Sequence, residues 1–160
     1  MDNGRAKIHD LEEAREKIRA YCLYRERSQK EVSDKLQSYG LIPAVRDVLL
    51  SELIQEGYLD EERFARAFVR GKYKIKKWGR YKIKQALYPH RLSDYVLKKA
   101  FSEIDPELYF QNLISVAEKR WPLTKATNSF QRKLKLRAYL QNRGFEGDLV
   151  QEALEQIIED

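Results

Sequence analysis

The chain is poor in the residues that staple or punctuate a fold. Its 160 residues include one cysteine, seven glycines and four prolines. The single Cys22 has no partner for an intramolecular bridge, which excludes a disulfide scaffold and fits a reducing cytoplasm. So few glycines and prolines leave too few turn signals for a many-stranded sheet. No stretch approaches the roughly 18 apolar residues of a membrane span, and the opening MDNGRAKIHD lacks the apolar core of a secretory signal, so neither secretion nor membrane insertion is expected. No G-x-x-x-x-G-K-[ST] run is present to cradle a phosphate chain, which argues against an ATPase. Two histidines, His9 and His90, and one cysteine make no zinc ligand set, and both histidines read as ordinary surface residues. Ser-His-Asp and Cys-His sites converge only in space, and nothing here positively supports one. Glu52, Glu56, Asp60, Glu61 and Glu62 form an acidic cluster that helix capping and solvation explain more simply than a metal site does. No cofactor, metal or catalytic residue is expected.

Charge, by contrast, is abundant. Charged residues make up 35% of the chain against 42% hydrophobic ones, an excess that suggests long solvated helix faces. A chain of this length can bury about 70% of its unfolded surface, enough for a sizeable core. The formal net charge of +6 is unevenly placed: residues 1–62 carry 10 Lys and Arg against 14 Asp and Glu, residues 63–99 carry 13 against 1, and residues 100–160 carry 8 against 10. The middle segment supplies the whole excess.

An apolar pattern occurs three times. Val32, Leu36 and Leu41 are followed 51 residues later by Ile83, Leu87 and Leu92, and 104 residues later by Leu136, Leu140 and Phe145. Val45, Leu49 and Leu53 match Val96, Ala100 and Ile104, then Leu149, Ala153 and Ile157 at the same offsets. The i, i+4 spacing places each set on one helix face. Another helical stretch precedes each copy: Leu11, Ala14, Ile18 and Cys22; then Phe64, Phe68 and Ile75; then Leu113, Ile114 and Ala117. Boundary chemistry agrees, with Ser28 and Glu31 as a capping box, Gly40 past a helix end, Pro43 at a first turn and Gly57 closing the third helix. Arg91 replaces the glycine in the second copy, and Trp121-Pro122-Leu123 lengthens the first connection of the third. The expectation is an all-α molecule of three tandem three-helix repeats, residues 1–57, 58–104 and 105–160, elongated and curved. Such a surface suits a long partner. No heptad seam is present, so a monomer is expected.

Residues 64–88 read FARAFVRGKYKIKKWGRYKIKQALY, with Phe64, Phe68, Ile75, Ile83 and Leu87 as the expected core. Arg66, Arg70, Lys74 and Lys77 form one stripe on the first helix, and Arg80, Lys82 and Lys84 continue it on the next. Like charges spaced i, i+4 with no carboxylate nearby repel by a few tenths of a kcal/mol per pair, so the face implies an anionic partner. Tyr73, Trp78, Tyr81 and Tyr88 are interleaved with the cations. They fit either base stacking on a nucleic acid or inter-helix packing, the second being the simpler account of Trp78 and Tyr81. A second basic set, Arg132, Lys133, Lys135, Arg137 and Arg143, falls on the second helix of the third repeat.

The run Gly57-Tyr58-Leu59-Asp60-Glu61-Glu62-Arg63-Phe64-Ala65-Arg66-Ala67-Phe68-Val69-Arg70, followed by Gly79-Arg80-Tyr81-Lys82-Ile83 and Leu87, resembles the signature of the bacterial RecX regulatory family. Flanking segments, Arg27-Ser28-x-x-Glu31-Val32-x-x-Lys35-Leu36 and Leu136 to Phe145, are similar to that family's outer repeats. The resemblance implies tandem three-helix units that bind in the groove of the RecA nucleoprotein filament and modulate, usually by inhibition, its ATP hydrolysis and strand exchange in recombination, repair and the SOS response. Gly57, Tyr58, Asp60, Arg63, Phe64, Ala65, Ile83 and Leu87 then fall on structural motif positions, and the basic residues after them are the candidates for contact with filament or single- or double-stranded DNA. Two departures stand out: Tyr88-Pro89-His90-Arg91, where a glycine-like turn is usual, and the dense lysines of 72–77. The rival reading is an autonomous DNA-binding protein that places a recognition helix in the major groove.

Overall fold

The computed structural model describes residues 10–158, and within them it holds nine α-helices and no strand. The first repeat contains α1 (Leu11–Tyr24), α2 (Gln29–Ser38) and α3 (Pro43–Gln55). The second contains α4 (Glu61–Lys74), α5 (Arg80–Leu87) and α6 (Asp94–Phe101), and the third α7 (Pro106–Arg120), α8 (Ser129–Asn142) and α9 (Gly147–Ile157). Single 3₁₀ turns at Tyr88–His90 and Trp121–Leu123 lengthen two of the connections.

Local chemistry sets most of the ends. Asp10, Ser28, Asp60, Ser93, Asp105 and Asn128 each accept a backbone N–H of the helix they open, and Ser28 with Glu31 completes the reciprocal capping box. Pro43 and Pro106 occupy first turns, where a missing N–H costs nothing. Gly40, Gly57 and Gly144 follow helix ends with φ of 81°, 79° and 98°. Arg91 takes the same left-handed conformation, φ 52°, at the place where the second repeat lacks a glycine, so the turn geometry of the repeat is kept at some strain to a side-chain-bearing residue.

The three-fold apolar frame is present in space. Val32, Ile83 and Leu136 are fully buried, as are Leu36, Leu87 and Leu140, and Leu49, Ala100 and Ala153. In the leading helices the phase differs from expectation. Ile75 is 79% exposed and lies outside the core, whereas Tyr73 is buried. The repeating set is Ala14, Ile18 and Cys22, then Ala65, Val69 and Tyr73, then Tyr109, Leu113 and Ala117, all buried. Tyr73 fills this site because its ring packs inward while its hydroxyl donates to the Glu103 carbonyl at 3.0 Å, meeting the polar demand of a buried phenol.

The repeats are not equally independent. The first has its own core around Ile18, Leu36 and Leu53, while the second and third share one core that runs from Phe64 to Leu154. Where the second meets the third, α5 lacks a side-chain cap. Its orphan donors go to the third repeat instead: Gly79 N–H to the Arg143 carbonyl at 2.8 Å, Arg80 N–H to the Tyr109 hydroxyl at 3.0 Å, and Tyr81 N–H to the Gly144 carbonyl at 3.0 Å. The first repeat joins the second through fewer groups, with Arg63 to Glu26 at 2.6 Å and Ser28 Oγ to His90 Nδ1 at 2.7 Å.

Candidate functional site

The basic segment folds into α4, a five-residue link and α5, and its charges separate into two kinds. Arg66 sits 2.8 Å from Glu103 and 3.6 Å from Glu62, and Arg70 lies 3.2 Å from the same Glu103. The expectation of cations without a nearby carboxylate therefore fails for these two, because α6 and its exit bring Glu103 back across α4. The arginines raise no unmet charge: they hold the Glu103 carboxyl below its ordinary range, chiefly through the hydrogen bond from Arg66. Arg15 and Glu52 make the equivalent contact in the first repeat at 2.8 Å, so Arg66 with Glu103 is a strut of the repeat itself.

Arg80 is likewise occupied. Its guanidinium pairs with Glu146 at 2.7 Å and lies 4.1 Å from the Tyr109 ring centroid. The Tyr109 hydroxyl donates to Glu146, and burial together with that carboxylate drives the phenol well above its ordinary pKa. Lys77 adopts φ 53° and donates to Ser115 Oγ at 3.1 Å. Trp78 is half-buried against the core, with the ammonium groups of Lys72 and Lys82 at 4.7 and 4.4 Å from its ring, so it packs between helices and holds two lysines in place. Lys74 and Lys84 are exposed, and Tyr81 is 64% exposed. Of the expected contact residues, Lys74, Tyr81 and Lys84 thus face outward, Lys82 lies half-buried beside Trp78, and Arg66, Arg70, Lys77 and Arg80 are partly exposed but each already bonded to another group of the fold.

The second basic set is likewise divided, with Arg132 and Arg143 bonded to backbone carbonyls of other elements and Lys135 and Arg137 making exposed surface contacts. Arg132 stacks 3.6 Å from the Trp121 ring centroid and donates to the Trp121 and Thr124 carbonyls at 2.7 and 2.8 Å. Lys135 donates to the Lys125 carbonyl at 2.7 Å, and Arg137 donates to Gln151. Lys133 is half-buried on the same helix. Arg143 reaches back to the Lys76 and Lys77 carbonyls at 2.6 and 3.2 Å and so ties the basic link to the third repeat.

The motif residues are placed as structural parts. Asp60 caps α4, Phe64, Ala65, Ile83 and Leu87 are core, and Gly57 gives α3 its left-handed exit. Arg63 does more than carry surface charge: it bonds Glu26 and the Gly57 carbonyl at 2.6 and 3.0 Å, bridging two repeats, while Tyr58 packs beneath Arg19. His90 corrects a further expectation. It is half-buried, 4.9 Å from the Phe64 ring and bonded to Ser28, because the 3₁₀ turn carries it into the junction of the first two repeats. His9 lies outside the described residues. Among the described residues no group of three His, Cys, Asp or Glu is arranged to hold a metal ion, and no helix is long and apolar enough to cross a membrane. The acidic cluster splits accordingly between caps and ion pairs such as Glu52 with Arg15 and Glu56 with Arg19.

On the outer face of α5 and of the 3₁₀ turn that continues it, Tyr81, Lys84, Gln85 and Tyr88 recur at i, i+3, i+4 and i+7, which is one stripe. Two clefts flank it. One, of about 670 Å³, lies toward the first repeat and includes Lys84, Tyr88, Arg91 and Lys30. The other, of about 480 Å³, lies toward the third repeat and includes Tyr81, Lys82, Lys84, Gln141 and Asn142.

Fold and surface together define a tandem three-helix repeat protein with a basic, aromatic-bearing middle. Residues 60–100 match the family model of the second three-helix domain of RecX, and residues 107–154 that of the third. The chain is 33% identical to the regulatory protein RecX of Chlorobium phaeobacteroides (strain BS1) over 83% of its own length and 85% of the relative's. It is 28% identical to that of Prosthecochloris aestuarii over 93% and 96% of the two chains. The crystal structure of RecX from Lactobacillus salivarius superposes with a TM-score of 0.82 over 92% of this chain and 96% of that one, at 20% identity. This chain belongs to the RecX family.

Proposed function

We propose that this protein is a non-enzymatic regulator that binds the RecA nucleoprotein filament and inhibits its ATP hydrolysis and strand exchange. It acts in the cytoplasm as a monomer, through three repeats divided at 57/58 and 104/105. The observation that carries the reading is the pairing of family membership with a second and third repeat fused through one core. A rigid two-repeat body can occupy a filament groove and hinder subunit motion, and its free cations can meet DNA phosphates there.

Binding is assisted by Lys74, Lys82 and Lys84 more than by Arg66, Arg70 and Arg80, since the arginines already hold Glu103 and Glu146. The test is the single-stranded-DNA-dependent ATPase of the cognate RecA, titrated with the protein at fixed moderate salt beside a binding titration to the same DNA without RecA. Inhibition at concentrations too low to coat naked DNA is expected. No effect until the DNA itself is saturated would replace this reading with that of an autonomous DNA-binding protein.

A further inference from the structure

We infer that the outer face of α5 is a stacking platform for single-stranded DNA, with Tyr81 and Tyr88 against bases and Lys84 between them on the phosphates. The inference deepens the proposed function, because it names the form of DNA that the basic middle repeat takes.

Three observations support it. Tyr81 and Tyr88 are 64% and 85% exposed, and no contact inside the fold explains two phenol rings standing in solvent on one stripe. Seven residue steps, through α5 to its C-cap, separate them by about 10 Å, close to three stacking steps of about 3.4 Å each. Two rings separated by three such steps leave room for two bases between them, so Tyr81 and Tyr88 are spaced to bracket a stacked dinucleotide.

Charge and polarity agree with that occupant. Lys82, Lys84 and Arg91 line the clefts on either side of the stripe, and Asp94, at the start of α6, is the one carboxylate in their lining. Gln85, Gln141 and Asn142 place amide groups beside Tyr81, where a base edge can be met by donor or acceptor alike. An intact duplex presents its bases edge-on and stacked, so it cannot use exposed rings in this way, whereas an open strand offers every base as a π-face.

The measurement is fluorescence anisotropy of a dye-labelled 15-nucleotide oligothymidylate with the full chain, beside a base-free phosphodiester backbone of equal length and a 15-base-pair duplex. The oligothymidylate is expected to bind at least about fivefold more tightly than the base-free strand, and Tyr81→Ala with Tyr88→Ala to remove that advantage. Both rings are exposed, so the variant should keep the wild-type helicity by circular dichroism. Lys84→Glu is expected to weaken both strands and flatten the salt dependence by about 0.7 in log–log slope or more.

Equal affinity for the strand with and without bases, or tighter duplex binding unchanged by the tyrosine replacements, would overturn the inference. So would a tyrosine variant that keeps strand binding but loses filament binding, which would assign the face to a protein partner. RecA ATPase inhibition by the wild-type chain is read in parallel. Its absence would sink the filament reading and leave the anisotropy result to decide this one.

Discussion

Gly79 and Gly144 approach so closely that a Cβ added to Gly79 would lie 2.1 Å from the Gly144 carbonyl carbon and 2.2 Å from Phe145 N. Two backbones meet there without side chains between them, and the first turn of α5 takes its hydrogen bonds from the end of α8. This contact makes the second and third repeats one body.

Gly79→Ala is accordingly expected to destabilise the protein by about 3 kcal/mol, at the upper end for overpacking, because backbone rather than a flexible side chain must yield. Gly144→Ala adds the strain of φ 98° to a clash with Lys82 N at 2.4 Å and should be at least as costly. Urea unfolding followed by circular dichroism measures both. Gly71→Ala, where a Cβ meets nothing within 4 Å, serves as the control and should be neutral or stabilising. A Gly79 variant as stable as wild type would show that the two repeats are not locked at this point.

Glu103 pairs with both Arg66 and Arg70, and Arg66 also has Glu62 at 3.6 Å, so Glu103→Gln should leave Arg70 without a carboxylate. DNA binding is expected to strengthen at low salt, with the log–log salt slope steepening by about 1. The equivalent change in the first repeat, Glu52→Gln, leaves Arg15 paired with Glu12, far from the basic middle, and should leave binding unchanged. Identical salt slopes for Glu103→Gln and wild type would show that Arg70 stays out of the interface even without its carboxylate.

Tyr73 and Tyr81 are eight residues apart and have opposite roles. Tyr73→Phe removes the donor to the Glu103 carbonyl and should cost about 1 kcal/mol of stability while leaving DNA affinity unchanged. Tyr81→Ala should do the reverse. Thermal unfolding and anisotropy on the same two variants separate them, and a loss of affinity in Tyr73→Phe at wild-type stability would contradict the buried placement.

His90 makes the junction of the first two repeats sensitive to acid. Ser28 Oγ accepts the Glu31 N–H in its capping role, so its own hydrogen is free to go to an unprotonated Nδ1 of His90. Burial pushes the His90 pKa below its ordinary 6.5, with Lys30 and Arg25 acting in the same direction and Glu31, at 3.9 Å, opposing them. The rings of Phe64 and Phe68 cover the other side. A group whose folded pKa is depressed in its cationic form takes up its proton first in the unfolded chain. Stability is therefore complete above about pH 6.5 and falls as the pH drops from there toward the folded value. Melting temperatures between pH 8 and 5 should show this decline in the wild type, and a His90→Gln variant should lack the part of it that His90 contributes. The same pH profile in both would remove His90 from the account.

Much of the fold was legible in the order of residues. The caps at Ser28 and Asp60, the glycine at position 57 and the apolar triplets headed by Val32, Ile83 and Leu136 depend on spacings of a few residues, which a helix converts directly into faces and ends. Even the left-handed Arg91 was marked, by standing where the other repeats have glycine. The phase of α4 was less legible, because Tyr73 and Ile75 are both apolar enough for the core and only the packing of the neighbouring helices chose the tyrosine.

The candidate surface was the part that tertiary structure decided. A stripe of arginines can be read from sequence, but whether it remains charged toward solvent depends on which carboxylates return to it. Glu103 lies 37 residues beyond Arg66, and Glu146 66 residues beyond Arg80. The 51-residue offset relating Arg15–Glu52 to Arg66–Glu103 was the one signal that could have exposed the first pair. Composition by itself determined that the middle repeat is basic and the chain helical, since both follow from residue type and short-range period. Which cations stay available, and which rings stand in solvent, followed only from the meeting of distant helices, because pairing and burial are properties of neighbours in space.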